Sequence, residues 1–155
     1  MPILDKPYHF VKWTNPTEIV VVDLKENKSN TIFLQSTSLS KKYDTIKDNL
    51  RGGTPLIKWF DNTYLCIVHD VDFIPKNHNG FKDSEYYHLF LIFNNDFTIK
   101  YISERFKFMT AKIEFCIGLA QYKNDILITF GFQDNCSYLL KINKDKLNDL
   151  IYKIK

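Results

Sequence analysis

The 155-residue sequence contains few of the residues that mark linkers, disulfide frameworks or membrane spans. Five glycines and five prolines are too few for a low-complexity linker. The three cysteines, Cys66, Cys116 and Cys136, form no Cys-x-x-Cys pair and lie in apolar runs, which predicts buried free thiols and a reducing, cytoplasmic compartment. No apolar stretch approaches membrane-spanning length, and the N-terminus carries no secretion signal. We therefore expect no membrane partner.

Strong charge is also lacking. The formal net charge is +3, the lysines are scattered, and no basic run alternates with exposed aromatic residues, so nucleic-acid binding is disfavoured. The histidines have no metal-ligand spacing with any cysteine, which predicts no zinc site. A Gly-rich phosphate loop, a Ser-His-Asp motif and a Cys-His nucleophile signature are absent from the sequence. We expect no cofactor.

Aromatic and apolar residues are abundant, with 13 Phe, 9 Tyr and 45% hydrophobic residues. With many β-branched residues beside them, they favour strands separated by Asn- and Asp-rich turns. Between residues 36–50 and 72–85 the pattern predicts loops. The tail KDKLNDLIYKIK predicts a short amphipathic helix with Asn143 as its cap. The predicted strands are 8–13, 18–24, 31–35, 55–60, 64–68, 86–93, 98–102, 117–122, 126–130 and 137–142.

Two segments share one plan. GTPLIKWFDNTYLCIVHDV and GLAQYKNDILITFGFQD each open with glycine and a strand, turn at Asp/Asn, and end in an acid after a second strand. Their spacing of about sixty residues fits a four-stranded propeller blade with loops. The sequence predicts an all-β fold: a partial β-propeller of about two and a half blades, built from antiparallel meanders as one module over residues 1–155. A β-sandwich with a C-terminal helix is the alternative.

The chain resembles a known family in three stretches, which are GGTPLIKWFDNTYLCIVHDV (52–71), YYHLFLIFNNDF (86–97) and GLAQYKNDILITFGFQD (118–134). Their succession is similar to the C-terminal half of the five-bladed propellers of glycoside hydrolase family 130, the mannoside phosphorylases and their relatives. Residues 8–24 resemble the family's middle blade. Asp70 stands where the family has glycine, and Phe130 and Gln133 replace tyrosine and alanine. The family's catalytic aspartate lies in N-terminal blades that have no counterpart in these residues.

Five polar residues at predicted strand ends form the candidate substrate site: Arg51, His69, Asp70, Glu114 and Asp134. In a propeller such residues converge at one mouth, where carboxylates bind sugar hydroxyls and an arginine beside a histidine suits phosphate. By resemblance, His69 matches a phosphate-side histidine and Asp134 a sugar-side aspartate. The alternative, purely structural interpretations are that Arg51 caps a loop or pairs with Asp48, and that His69 and Asp70 form a structural pair.

Aromatic faces could complete such a site. Trp13, Trp59 and Tyr87 could stack on sugar rings, although Trp59 lies in an apolar run and fits a core better. Glu114 also lies in an apolar run, where a buried carboxylate needs a partner, and Arg51 and His88 are the candidates.

The sequence supports three functional hypotheses. The first is a carbohydrate-recognising, glycosidase-like propeller fragment that binds a sugar or sugar phosphate and is not catalytic alone. The second is a subunit of an active glycoside phosphorylase, hydrolase or glycosyltransferase, completed by self-association or by a separate N-terminal half. The third is an interaction scaffold that has lost its site.

Overall fold

A computed structural model describes residues 1–36, 50–74 and 83–154, and every structural statement below concerns these residues. They form ten strands in three antiparallel sheets and one short α-helix, so the expected all-β class is confirmed. The strands are β1 (His9–Thr14), β2 (Thr17–Asp23), β3 (Lys28–Gln35), β4 (Ile57–Lys58), β5 (Tyr64–Ile74), β6 (Asp83–Phe93), β7 (Ile99–Ile102), β8 (Glu114–Tyr122), β9 (Asp125–Phe132) and β10 (Cys136–Asn143), and the helix is α1 (Lys144–Ile151).

Each sheet is a meander of consecutive strands. The first sheet has the order β1-β2-β3, the central sheet β4-β5-β6-β7, and the third sheet β10-β9-β8. None of the three sheets is closed. Such meanders follow from the sequence because short Asn- and Asp-containing turns join neighbouring strands.

Two predicted segments differ from the structure. The strand predicted at 55–60 is only Ile57–Lys58, because Phe60–Asn62 forms a 3₁₀ turn in which Asp61 and Asn62 have positive φ. The loop predicted at 72–85 was wrong at its ends, where β5 continues to Ile74 and β6 begins at Asp83. Apolar residues of β5 and β6 pair over a long stretch, and the pairing of the two strands continues through the polar residues that suggested a loop. The rest of that loop, and most of the loop predicted at 36–50, lie outside the described residues. The predicted burial of the cysteines is confirmed for Cys66 and Cys116 but was wrong for Cys136, which is exposed on β10.

The central sheet buries both of its faces. Alternate residues of β5 point to opposite sides, so Tyr64, Cys66 and Val68 pack with the first sheet, whereas Leu65 and Ile67 pack with the third. The apolar core is therefore two layers thick. The same alternation continues into the polar end of β5, where His69 and Asp70 are both buried.

The closing helix α1 is confirmed with its cap. The Asn143 side chain accepts hydrogen bonds from the backbone N–H groups of Asp145 and Lys146 at 3.1 and 3.2 Å. Trp59 is buried, as expected of a core residue, and its indole N–H donates to the Asn148 Oδ1 at 3.1 Å. At eight residues, α1 is far too short to cross a bilayer, and no other described helix could do so.

A close backbone contact fixes the segment before β4 against β5. A side chain at Gly53 would collide with the carbonyl oxygen of Ile67, so this approach requires glycine. The Thr54 N–H donates to the Ile67 carbonyl at 3.0 Å, and the Ile67 N–H donates to the Thr54 hydroxyl at 2.9 Å. This clamp holds Arg51 beside the far end of β5.

Candidate functional site

Arg51 and His69 are neighbours in an isolated β-bridge. The Arg51 N–H donates to the His69 carbonyl at 2.9 Å, and the His69 N–H donates to the Arg51 carbonyl at 3.3 Å. The Arg51 side chain is exposed and its guanidinium lies 5.2 Å from the Phe73 ring centre. These two candidate residues, eighteen positions apart in the sequence, are therefore brought together by the backbone.

His69 lies in an aromatic environment on the third-sheet side of β5. Its ring centre is 4.8 Å from that of Phe115 and 5.9 Å from that of Tyr86. It also faces His88 directly across the β5–β6 pair. Burial, assisted by the positive charge of Arg51, lowers the pKa of His69 to about 4. His69 is thus neutral at pH 7 and suits a hydrogen-bonding role better than a phosphate-binding cation.

His88 is buried more deeply. Its Nε2 accepts a hydrogen bond from the Cys116 N–H at 3.2 Å, which assigns the proton of the neutral ring to Nδ1. Its ring packs against Phe108 and Phe106, and burial, followed by repulsion from His69, lowers its pKa to about 4. Among the described residues, Nδ1 of neither histidine has a hydrogen-bond partner.

Asp70 points to the opposite side of the central sheet from His69. It is buried, with 2% of its side chain exposed, and it pairs with Arg105. The same guanidinium donates from Nη1 to Asp72 at 2.9 Å. Asp70 and His69 therefore do not form the structural pair that their adjacency suggested, since successive residues of a strand face opposite ways.

A second ion pair extends this charged face. Lys107 donates to Glu85 at 2.6 Å, and the Tyr87 ring lies 5.0 Å from the Lys107 ammonium and 5.2 Å from the Arg105 guanidinium. We call this set the charged cluster, and its members are Asp70, Asp72, Glu85, Tyr87, Arg105 and Lys107. Tyr87 is thus engaged with two cations of its own chain. Sequence reasoning missed Arg105 and Lys107, although alternation in R-F-K-F (105–108) indicated that both share one face.

Glu114 has a structural environment. Its fully buried carboxylate accepts hydrogen bonds from the backbone N–H groups of Phe108, Met109 and Ala111 at 2.7, 3.1 and 3.1 Å. The expected partners Arg51 and His88 were wrong. Three convergent amides satisfy a carboxylate without a cation, and the contact closes the segment before β8 into a tight loop. The carboxylate is therefore occupied within the protein.

Asp134 lies in the turn between β9 and β10, where Gln133 and Asp134 both have positive φ. Aspartate tolerates this conformation, so a turn role accounts for it. Its exposed side chain borders an open groove of about 560 Å³, which we call the Asp134 groove. Phe115, whose ring contacts His69, also lines this groove. Asp134 is therefore separated from His69 by one aromatic side chain.

Arg51 borders a different groove, of about 390 Å³, between the first and central sheets. We call it the Trp13 groove, and its lining residues are Met1, Lys12, Trp13, Thr14, Asn15, Leu50, Arg51 and Gly52. Trp13 is 57% exposed, which is high for the largest side chain. The Thr14 hydroxyl donates to the Leu50 carbonyl at 3.0 Å and holds the two walls together.

The five predicted residues consequently do not form one ring. Arg51 and His69 are adjacent, Asp134 borders a separate groove, and Asp70 and Glu114 are engaged inside the protein. Asp48, which the structural interpretation offered as a partner for Arg51, lies outside the described residues. Nor do the described residues include a cluster of three or more His, Cys, Asp or Glu side chains that could hold a metal ion.

Comparisons with known protein families, with curated proteins and with solved structures give no match to this chain.

Proposed function

We propose that this protein recognises carbohydrate, including sugar phosphates, through the Trp13 groove. The observation that carries the proposal is a largely exposed tryptophan in a groove that also contains Asn15 and Arg51. A flat aromatic face packs against the C–H face of a sugar ring, while an amide bonds its hydroxyl groups. Contact between the large apolar surface of a tryptophan and water is unfavourable, and a bound ligand would remove that contact. This supports a binding role for Trp13.

The charge of the groove favours a sugar with a negative group. Two of its lining side chains, Lys12 and Arg51, are cationic and none is acidic. Lys12 contacts Glu18 at 3.1 Å, whereas Arg51 is exposed at the border of the groove, with its guanidinium 5.2 Å from the Phe73 ring centre. A guanidinium binds phosphate or carboxylate with two parallel hydrogen bonds. Arg51 would thus fix the charged end of the ligand while Trp13 covers its ring.

The arrangement of the sheets supports the propeller component of this proposal. Three consecutive meanders pack face to face, and the central one buries both faces, as an internal blade does. We therefore retain the interpretation of a partial propeller resembling glycoside hydrolase family 130. In that interpretation, the Trp13 groove lies between two successive blades.

The enzymatic alternative has one observation in its favour. The outer face of the third sheet exposes the large apolar side chains of Ile117 and Leu139, where a further blade could pack. A completed ring could then form a phosphorylase, a hydrolase or a glycosyltransferase. Release of sugar 1-phosphate from a mannoside in the presence of phosphate would favour this alternative over recognition alone.

Isothermal titration with mannose, mannose 1-phosphate and inorganic phosphate tests the recognition proposal. We expect mannose 1-phosphate to bind more tightly than either other compound, and Trp13→Ala to weaken binding at least about tenfold through loss of ring stacking. Tyr122→Ala is the matched control, since Tyr122 is 55% exposed and lies at the β8–β9 turn, outside the groove.

The three ligands separate the contributions of the groove. Arg51→Gln should remove the preference for the phosphorylated sugar but keep weak binding of mannose, because only the charged contact is lost. Equal affinities for the parent protein, Trp13→Ala and Tyr122→Ala would contradict the assignment of the site. If none of the three ligands binds, this mannose-based form of the proposal is contradicted.

A further inference from the structure

The strand β10 forms an open edge of the third sheet. It pairs with β9 on one side, and no described strand pairs with it on the other. Its residues Cys136–Lys141 are exposed. An edge of this kind presents a row of backbone N–H and C=O groups that another strand can bind. The property is independent of the proposed carbohydrate site, because β10 does not border the Trp13 groove.

This edge lacks the features that usually prevent pairing. The β9–β10 register is unbroken over eight residues, whereas the β1–β2, β2–β3, β6–β7 and β8–β9 pairs all contain irregularities. The strand contains no proline, and its one lysine, Lys141, is paired with Asp125 of the same sheet at 3.0 Å. By contrast, the β3 edge begins with the polar run Lys28-Ser29-Asn30, and β4 has only two residues.

The side chains of β10 are apolar on both faces at its centre. Tyr138, Leu139 and Leu140 are consecutive, large and exposed. Tyr138 and Leu140 share the inner face with Phe130 and Ile128, their partners on β9, whereas Leu139 points outward. An isolated exposed leucine needs no explanation, but three such residues on a regular edge strand indicate a contact surface.

We propose that the occupant of this edge is a second copy of the chain, paired through β10 in antiparallel orientation about a two-fold axis at Leu139. Such an axis is perpendicular to the sheet, so residues opposite each other must point to the same face. In the register centred on Leu139, this residue faces Leu139 of the partner subunit. Tyr138 then faces Leu140 of the partner subunit, and Ser137 faces Lys141 of the partner subunit.

This register satisfies both backbone and side chains. All the central apolar residues meet apolar residues, and no like charges lie opposite each other. A register centred on Leu140 would instead place Leu139 opposite Lys141 of the partner subunit, with an aliphatic residue against a cation. The second copy is the natural occupant because it supplies a neutral, regular edge of identical length, which is what an isologous contact requires.

The size of the contact sets its strength. Eight strand residues extend over about 27 Å, which gives a long but narrow contact at the small end of protein interfaces. We therefore expect a reversible dimer whose population increases with protein concentration. The dimer would contain one continuous six-stranded sheet formed from the two third sheets.

Sedimentation velocity over a range of concentrations tests the proposal. The parent protein should shift from the 18.4 kDa monomer toward twice that mass, and Leu139→Lys should raise the dissociation constant at least about tenfold because two cations then meet at the axis. Ile117→Lys is the matched control: Ile117 is 58% exposed, against 63% for Leu139, and both lie on the outer face, but only Leu139 is on β10.

A charge exchange tests the register itself. Leu139→Lys and Leu139→Glu should each be monomeric, whereas their equimolar mixture should form a heterodimer, since opposite charges then meet across the axis. Loss of the dimer in Ile117→Lys as well as Leu139→Lys would show that the outer face, not the edge, is the interface. A parent protein that stays monomeric up to its solubility limit, or a Leu139→Lys variant that dimerises unchanged, would overturn the proposal.

Discussion

The two faces of the central sheet differ most where His69 and Asp70 stand side by side in the sequence. On the third-sheet face, His69 and His88 are covered by aromatic rings, and their pKa values fall to about 4. On the opposite face, Asp70 is equally buried but pairs with Arg105. The comparison shows two solutions to burying an ionisable group. One face excludes charge, and the other supplies the opposite charge.

The predicted site residues also differ in whether their polar groups already have partners within the chain. Asp70 and Glu114 are satisfied by partners within the chain, so both are best understood as structural residues. Arg51 and Trp13 instead have exposed side chains and border a groove. A carboxylate whose hydrogen bonds are already made has little left to offer a ligand, whereas an exposed side chain beside a groove can still bind one.

The largest expected effect tests the charged face. Arg105→Ala leaves the buried Asp70 carboxylate without its cation, and we expect the free energy of unfolding to fall by about 3 kcal/mol. Urea denaturation measures this loss. Lys12→Ala removes a half-exposed lysine from Glu18, whose carboxylate keeps its hydrogen bond from the Thr31 hydroxyl, so stability should change by less than about 1 kcal/mol. Equal effects of the two variants would mean that the buried pair is not the stabilising feature.

A smaller effect is expected where Glu114 supports the uncharged face. Glu114→Ala leaves three backbone N–H groups unpaired, which we expect to cost about 2 kcal/mol. Because Phe108 donates to Glu114 and its ring covers His88, the amide of Phe108 should also exchange faster with solvent. Glu26→Ala serves as the surface control, since Glu26 is exposed and lies in the turn between β2 and β3. Unchanged exchange at Phe108 would contradict the support role.

The smallest effect expected from any single residue is the effect of pH on each of the two buried histidines. Their folded-state pKa values are about 4, below the usual 6.5, so between these values the unfolded chain binds more protons than the folded one. Stability is then complete above pH 6.5 and decreases as the pH falls toward 4. For His88 alone we expect a loss of roughly 1–2 kcal/mol at pH 5.

Urea denaturation at pH 7, 6 and 5 measures this slope. The test variant is His88→Phe. Its matched control is His9→Phe, because His9 lies on the first sheet, where it is only half-buried. Because His69 also has a lowered pKa, His88→Phe should remove about half of the pH dependence, while His9→Phe should retain all of it. An unchanged slope in His88→Phe would assign the pH dependence to other groups and would contradict the lowered pKa of His88.

Much of the fold could be predicted from the sequence because strand signals are local. Apolar alternation between Asn- and Asp-rich turns located the strands, and Asn143 followed by helical spacing located α1 with its cap. The core position of Trp59 was also predicted, since its neighbours are apolar. Where the prediction failed, at the 3₁₀ turn after β4 and the ends of β5 and β6, pairing between strands overrode the local signal.

The site was less predictable, because partners lie far apart along the chain. Arg105 and Asp70 are 35 residues apart, and nothing local to either residue indicates the other. Glu114 is satisfied by the backbone of residues 108–111, and backbone donors leave no sequence pattern. Of the five predicted site residues, the structure places Arg51 and His69 side by side in a β-bridge.

The alternation of strands and turns is encoded locally along the chain, since side-chain period and turn chemistry act over a few residues. The need of buried carboxylates for partners is likewise general, because an unpaired buried charge is too unfavourable to persist. The identity of each partner, the face that each side chain occupies and the choice of the exposed tryptophan follow instead from long-range packing. Those outcomes depend on how three sheets pack, and packing brings together residues whose distance along the chain carries no information about their distance in space.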